Sequence, residues 1–409
     1  MKQRKVVVTG IGVVSPLGTT VPEFWGNLTK GVSAIERISR FDPDCFRCQV
    51  AGQIRDFQIE RYFKRRDVQN IDLAIQYALA AAKMALADAE IREEQIVREE
   101  WGVILGQTVG GALTGEKVLN EQQLFQNHNL YLNCVMESNL YWFANVFGFS
   151  GYASMISTGC AAGTDAIGCG FHKIREGFMD IAVVGGMEAP IAPLTLASFD
   201  VIGGLAKNNQ YPQRASCPFS VERDGFVPAE GAGILILEEL EHARQRGAKI
   251  YGEIKGYGNN SNAYHMTAPL PEGERLGEVI QEAIMDAGIE KEEIGYINAH
   301  GSSTPLNDIA ETKAIKYALS EHAYQVSISS NKSIMGHPLG AAGALEFITV
   351  ILSVNSGMIP PTINLDHPDP ECDLDYTPNQ CKCRKIKHAM SISSGFGGVN
   401  CSLVFSKYA

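Results

Sequence analysis

Apolar residues in this chain alternate between two textures. Short runs rich in β-branched residues, Lys5–Val8, Gly102–Leu105, Asp180–Val184, Gly231–Leu237, Gly295–Ala299 and Val326–Ser329, predict buried strands, each followed by a glycine-bearing or polar turn. Between them lie stretches with apolar and small residues at helical spacing, of which Ile71–Ala89 is the clearest. Strands alternating with helices predict an α/β class with helices packed on the sheet faces.

The pattern also repeats. Helix Ile71–Ala89 ends in Asp88-Ala89-Glu90-Ile91 and leads to the strand Trp101–Gly106; far downstream, Glu278–Ala287 ends in Asp286-Ala287-Gly288-Ile289 and leads to Gly295–His300, with Gly301 where the first copy has Gly106. A second echo pairs Cys160-Ala161-Ala162-Gly163 with Gly340-Ala341-Ala342-Gly343, each opening a small-residue helix after a strand. These echoes predict an internal duplication with its seam near Gly247–Tyr251, hence two α/β halves, residues 1–249 and 250–409, related by a pseudo-twofold axis.

Composition narrows the class. The 409 residues are 45% apolar, enough for a large buried core, and ten cysteines are spread without the density of a disulfide scaffold, so they read as reduced thiols in a cytoplasmic protein. Cys45 and Cys48, or Cys381 and Cys383, would need further ligands to bind zinc, and no His or Cys stands at ligand spacing, so no metal is expected. The charged start followed by Val6-Val7-Val8 superficially resembles a signal peptide, but Thr9, Gly10 and Gly12 cut the apolar run, and no stretch is read as long enough to span a bilayer. A formal net charge of −11 argues against nucleic-acid and anionic-membrane binding, so an acidic partner must dock on a local basic patch.

Gly10-Ile11-Gly12 follows a strand as a dinucleotide fingerprint would, but Ser15 replaces the third glycine and Pro16 opposes an immediate helix; Gly110–Lys117 carries Glu116 where a phosphate loop needs lysine. Both nucleotide readings fail.

The duplication makes strand ends from both halves converge on one cleft, the usual ligand position of open α/β sheets. Tyr152–Ser157 reads as strand, Thr158-Gly159 as a tight turn, and Cys160 onward as a closely packed helix start. Backbone N–H groups and the positive helix end would then face the thiol, favouring thiolate. Free cysteines are mostly inert core residues; it is the strand-turn-helix position that marks this one. His300 ends a strand before Gly301-Ser302-Ser303-Thr304-Pro305, and His337 follows Ser329–Gly336, which makes both candidates for the same cleft. His265 is a weaker candidate, and His128, His172, His242, His322, His367 and His388 read as surface or internally satisfied.

Val7–Gly12, Ser157–Gly163, Glu222–Val227, Glu230–Gly233, Ala263–Thr267, His300–Asp308, Asn331–His337 and Gly395–Gly398, in this order, resemble the β-ketoacyl-[acyl-carrier-protein] synthases over nearly the whole chain. The resemblance implies a thiolase-like fold, two duplicated halves in a layered αβαβα arrangement, and decarboxylative condensation of malonyl-carrier protein with an acyl chain held on Cys160. It implies a Cys160-His300-His337 triad supported by Lys332 and Glu346, an oxyanion hole from the N–H groups of Cys160 and Phe396, and Phe396 as a gate beside the acyl pocket. Ser302, Thr304 and Thr267 would contact the pantetheine arm, although the family more often has Thr at the position of Ser302. Lys64-Arg65-Arg66 would receive the acyl carrier protein, and no cofactor is implied beyond the phosphopantetheine of that carrier.

Ser394 stands where many fatty-acid synthases of this kind have Phe, and Ser393–Asn400, Ile250–Glu253, His322–Tyr324 and Asp369–Tyr376 are similar to the catalytic subunits of type II aromatic polyketide synthases. That class implies a heterodimer with a chain-length-factor homologue lacking the cysteine; otherwise a homodimer is expected. The fatty-acid elongating synthase is the alternative with the same triad. A thiolase would need a second cysteine at its last motif, where Gly395-Phe396-Gly397-Gly398 has none, and a non-catalytic binding subunit would lack Cys160.

Overall fold

The computed structural model describes residues 4–64, 68, 71–92, 101–120 and 130–408. Its strands are β1 (Val6–Val14), β2 (Ile35–Arg37), β3 (Val50–Gly52), β4 (Trp101–Gly106), β5 (Ala153–Ile156), β6 (Ile181–Glu188), β7 (Gly231–Glu239), β8 (Gly252–Ser261), β9 (Ile294–Asn298), β10 (Ser327–Ser329), β11 (Met358–Ile359), β12 (Lys382–Cys383), β13 (His388–Ser394) and β14 (Val399–Lys407). Ten of them form one sheet in the order β10-β9-β13-β14-β8-β1-β7-β6-β4-β5.

Cut between β8 and β1, this order is the same arrangement twice. Counting strands within each half, both read third-second-fourth-fifth-first from the outer edge, with the second strand parallel to the third and fourth and the fifth antiparallel to its neighbours. The halves join edge to edge through three residue pairs, Val6–Ile254, Val7–Glu253 and Val8–Gly252.

Alternating side chains of single strands feed different cores. Ile104 of β4 and Leu235 and Leu237 of β7 join the central apolar cluster, which also holds Ile167, Phe171, Leu345 and Phe347 from the helices Ala162–Arg175 and Ala342–Ser356. Val103, Leu105, Ile234 and Ile236 point the other way, onto helix Leu73–Asp88. In the second half, Ile297 and Met390 face helices Glu274–Ala287 and Asn307–Leu319. Burial on both faces explains the nearly continuous apolar strands. The layers are helix, half-sheet, paired central helices, half-sheet, helices.

Leu339–Ser356 is, contrary to the sequence expectation, long and apolar enough to cross a membrane, yet 83% of that stretch is buried inside the protein; its composition is that of a core helix enclosed on all sides.

The glycines of the rejected dinucleotide motif belong to strand packing. A Cβ on Gly10 would lie 2.2 Å from the Ala85 carbonyl oxygen and one on Gly12 1.9 Å from that of Ala81. Gly256 and Gly258 of β8 meet the Ala283 and Val279 carbonyl oxygens at 2.1 and 2.5 Å in the same way. Both halves thus press their outer helix onto their first strand through two alternate glycines. Gly12→Ala is expected to destabilise the protein by roughly 3 kcal/mol or prevent folding, while Gly26→Ala, in helix Val21–Lys30 with nothing within 4 Å of the new Cβ, should be neutral or stabilising by about 0.5–1 kcal/mol. Denaturant unfolding of the two variants checks the contrast.

Candidate active site

Cys160 follows β5 on a single 3₁₀ turn, Gly159–Ala161, that runs into helix Ala162–Arg175. Gly159 adopts φ +58, a conformation natural to glycine, and a Cβ there would meet the Phe396 carbonyl oxygen at 3.0 Å. Gly395 approaches as closely from the other side: its Cβ would lie 2.7 Å from the Thr158 carbonyl oxygen and 3.1 Å from the Cys160 nitrogen. The segment after β13 is therefore pressed onto the cysteine turn, and the Phe396 N–H favours the Cys160 thiolate.

His300 follows β9 and His337 follows β10, two strands of the other half. Their rings meet edge to face with centroids 5.3 Å apart, and both are buried. Cys160, His300 and His337 line one narrow cavity of about 60 Å³ together with Thr267, Ser302, Thr304 and Phe396. Space on that scale holds a few water molecules. An apolar wall runs beside it: Phe396 lies 6.2 Å from Phe199, Phe199 lies 5.3 Å from Phe226, and Phe226 lies 5.3 Å from the His337 ring.

The ring nitrogens have distinct surroundings. Leu339, strained at φ +40, turns its N–H onto His337 Nδ1 at 3.2 Å, so Nδ1 accepts and the proton of the neutral ring resides on Nε2. Lys332 Nζ lies 3.4 Å from His300 Nδ1 and donates to the His300 carbonyl oxygen at 2.6 Å, which likewise leaves Nδ1 as acceptor and Nε2 as N–H. Burial and the Lys332 charge hold both imidazoles well below their ordinary pKa, and His337 adds to the effect on His300.

Lys332 is buried and ion-paired with buried Glu346, so the sequence-identified pair meets and touches His300 directly. For Cys160 the environment reverses the expected thiolate: burial pushes the thiol up to about 12, with Lys332 and the Phe396 N–H only partly opposing it. Cys160 precedes the helix proper and shares a cluster with Ile191, Leu196, Leu205, Phe226 and Val227, and that apolar shell outweighs the helix end.

The polar loop after His300 is held by residues to which sequence reading gave no role. Glu311 accepts the N–H groups of His300 and Gly301 at 2.6 and 2.8 Å, and burial raises its carboxyl to about 7. Arg223 donates to the Thr304 and Pro305 carbonyls at 3.3 and 3.0 Å and to Asp369 at 2.8 Å. Between these anchors Gly301 and Ser303 stand at φ +40 and +65, and the Ser302 and Thr304 hydroxyls bond each other at 2.9 Å. Glu311 and Asp308 share one buried face of helix Asn307–Leu319; acids three residues apart on a buried face just after a strand-end histidine were the available signal.

Loop 262–268 borders the cavity through Asn262, Thr267 and Ala268. Gly397 N–H bonds the Met266 carbonyl at 2.7 Å, Asn262 N–H bonds that of Gly398 at 2.8 Å, and Ser394 reaches Asn262 through Asn400. His265 is exposed and accepts the Thr267 and Ala268 N–H groups at 3.1 Å, so it shapes this loop and does not line the cavity. His172, His242, His322, His367 and His388 lie elsewhere with their own polar partners, and His128 lies outside the described residues. Lys64 is exposed; Arg65 and Arg66 lie outside the described residues. All ten cysteines are unpaired.

The family model described as Beta-ketoacyl synthase, N-terminal domain matches residues 3–243, and that described as Beta-ketoacyl synthase, C-terminal domain matches residues 251–366. The chain is 41% identical to a 3-oxoacyl-[acyl-carrier-protein] synthase 2 of Synechocystis sp., over 100% of this chain and 99% of that one. It is 40% identical to a putative polyketide beta-ketoacyl synthase 1 of Streptomyces cyaneus, over 98% of each. Among solved structures it superposes with TM-score 0.91 and 40% identity, over the whole of both chains, on one from a type II polyketide synthase acyl-carrier protein in complex with its ketosynthase bound to the hexaketide. The ishigamide ketosynthase/chain length factor gives TM-score 0.91 and 35% identity over the same extent. The expected thiolase-like fold is the one these neighbours share, and the chain belongs to the β-ketoacyl synthase family of condensing acyltransferases.

Proposed function

We propose that this ketosynthase is the catalytic subunit of a type II polyketide synthase, extending a Cys160-bound chain with malonyl units delivered on acyl carrier protein. The observation that carries the chemistry is the meeting of Cys160 with two buried imidazoles, each with Nδ1 already engaged as an acceptor. In the first half-reaction Cys160 sulfur attacks the acyl thioester; the new S–C bond replaces the pantetheine S–C bond, and the thiol proton ends on the departing pantetheine sulfur. The N–H groups of Cys160 and Phe396 hold the tetrahedral oxyanion. In the second, the malonyl carboxylate leaves as carbon dioxide and its bonding electrons form an enolate whose oxygen takes hydrogen bonds from Nε2–H of His300 and His337. The enolate carbon then attacks the Cys160 thioester and expels the cysteine sulfur as thiolate, which takes a proton from water to restore the thiol. The acyl and malonyl groups arrive on phosphopantetheine, positioned by Thr267, Ser302 and Thr304, and these steps draw on no other cofactor. Phe396 gates the acyl pocket, since the resting cavity has no room for a chain. Lys64, with Arg65 and Arg66, is proposed as the carrier's docking site.

The polyketide assignment rests on Ser394 and its neighbouring phrases, together with similarity to a polyketide ketosynthase. Housekeeping fatty-acid elongation remains the second reading, favoured by 41% identity to a 3-oxoacyl-carrier-protein synthase. We read residues 1–249 and 250–409 as the two halves. Their outer edges differ. β10 is covered by residues 362–378, through bonds such as Ile328 N–H to Asp375 at 2.8 Å, while β5 carries exposed Tyr152 and Ala153 at its start and pairs only with β4 among the described residues. An uncovered edge beside the nucleophile is suited to a second, related chain. That chain is proposed to be a chain-length-factor homologue.

Intact mass after incubation with acyl- and malonyl-carrier proteins tests both levels. Wild type should gain the acyl mass and Cys160→Ala should not; growth by several ketide units only with a cysteine-less partner supports the polyketide reading, and single extension of fatty acyl chains alone replaces it with the fatty-acid one. Because both imidazoles are depressed well below 6.5, they stay neutral as pH falls through that value. Malonyl decarboxylation by Cys160→Ala should therefore stay flat between about pH 6 and 8, and a loss centred near 6.5 would contradict neutral donors. Lys332→Met strands the buried Glu346 and should cost roughly 3–5 kcal/mol, much of it recovered in Lys332→Met/Glu346→Leu. The double variant should fold yet decarboxylate poorly, as His300 loses the cation that orients Nδ1.

A further inference from the structure

Glu188, the last residue of β6, is fully buried, and its hydrogen-bond partners among the described residues include no cationic side chain. Its carboxylate instead gathers three backbone donors: the N–H groups of Thr108 at 2.8 Å, Val109 at 3.3 Å and Gly340 at 3.2 Å. The first two belong to the loop after β4 in one half, the third to the turn Leu339–Ala341 in the other. One carboxylate thus ties the halves together at the level of the cleft. Thr108 passes the constraint on, because its hydroxyl donates to the Gly159 carbonyl at 2.9 Å, the residue directly before the nucleophile. Gly340 leaves the space this requires, since a Cβ there would lie 2.8 Å from Glu188 Oε2.

We propose that Glu188 is a positioning residue for the condensing reaction, holding the Cys160 turn in register through Thr108. The inference rests on the reading of Cys160 as nucleophile. The charged and titratable groups facing the sulfur are Lys332 from the segment after β10, Glu346 from helix Ala342–Ser356, Glu188 from β6, and the imidazoles of His300 and His337 that share its cavity. Lys332 favours thiolate; Glu188 and Glu346 oppose it. Burial without a counter-cation raises the Glu188 carboxyl to about 8, the three N–H groups only partly offsetting that cost. Its anion is thus only partly formed near neutrality and becomes fully formed as pH rises through that value.

The test follows iodoacetamide alkylation of Cys160 against pH by intact mass, with Cys160→Ala as the blank, alongside acyl transfer from acyl carrier protein. Glu188→Gln should move the rise of alkylation to lower pH by roughly half to one unit, since a neighbouring anion is removed. Acyl transfer should fall by about tenfold or more in Glu188→Gln and Thr108→Val, with KM for the carrier unchanged, and Thr108→Ser, which keeps the hydroxyl, should restore it. A merely structural Glu188 would lower stability and leave the alkylation profile in place. Unchanged profile and transfer in Glu188→Gln overturn the inference. If that variant does not fold, the Thr108 pair decides: wild-type transfer in Thr108→Val, or no rescue by serine, overturns it. Wild-type protein that resists alkylation at Cys160 removes the nucleophile reading and this inference with it, whereas labelled wild type with unmoved variants removes the role of Glu188 alone.

Discussion

Everything at the cleft depends on how closely the two central helices and their leading turns approach each other. A Cβ on Gly163 would lie 2.8 Å from the Gly340 carbonyl oxygen, one on Gly343 1.9 Å from the Thr164 hydroxyl, and one on Gly186 2.3 Å from the Gly340 carbonyl oxygen. Backbone therefore packs on backbone along the pseudo-twofold axis, and the strand ends of one half come within reach of those of the other. Larger side chains would push the halves apart and take the cysteine away from the histidines. The small-residue phrases Cys160–Gly163 and Gly340–Gly343 are thus a packing requirement before they are a catalytic signature.

Within that contact the site is organised around one buried cation. Lys332 pairs with Glu346, holds the His300 carbonyl and faces His300 Nδ1, and its charge adds to the burial that keeps His337 neutral. A second buried acid, Glu311, fixes the backbone of His300 and Gly301 through N–H groups. The electrostatics produce neutral hydrogen-bond donors and not acid-base groups poised at neutral pH, which suits stabilisation of an enolate oxygen. The thiol, in the apolar half of the cavity, is disfavoured as an anion by the same dryness that strengthens those donors.

Much of this was legible in the sequence. The duplication was visible in the Asp-Ala phrases closing helices Leu73–Asp88 and Glu274–Ala287, because equivalent helix ends meet equivalent strands. Strand β8 was not foreseen: Gly252–Ser261 carries Gly256 and Gly258 with Asn259 and Asn260, a composition that predicts a turn, and only the close approach of helix Glu274–Ala287 explains it. Cys160 and His300 could be found because each stands just past a strand end, and His337 because it follows β10 after the single short helix Lys332–Met335. Glu311 had a signal in its spacing from Asp308, but Glu188 and Arg223 could not be assigned, since an isolated acid or arginine beside a strand looks like a solvated residue until long-range partners such as Gly340 N–H are placed on it. The thiolate expectation failed for a related reason: helix-end electrostatics can be read locally, whereas desolvation by Ile191, Leu196 and Leu205 is a tertiary property.

Duplication supplies two equivalent turns, but the chemistry needs only one nucleophile, and the second turn has been reused. Gly340 occupies the place of Cys160, and its N–H is spent on Glu188 at the end of β6, whereas the Cys160 turn packs backbone to backbone against Gly395 and Phe396 just past β13, the fourth strand of the other half. Each fourth strand therefore serves the turn of the opposite half. The exchange has a mechanical consequence: neither half can shift without disturbing a hydrogen bond or a close backbone contact at the other's turn, so the relative placement of sulfur and imidazoles is set by both halves jointly. The segment proposed above to respond to a substrate, the glycine-flanked stretch around Phe396, lies outside the central helix contact: Gly397 and Gly398 stand at φ +88 and +83, and its backbone bonds run to loop 262–268.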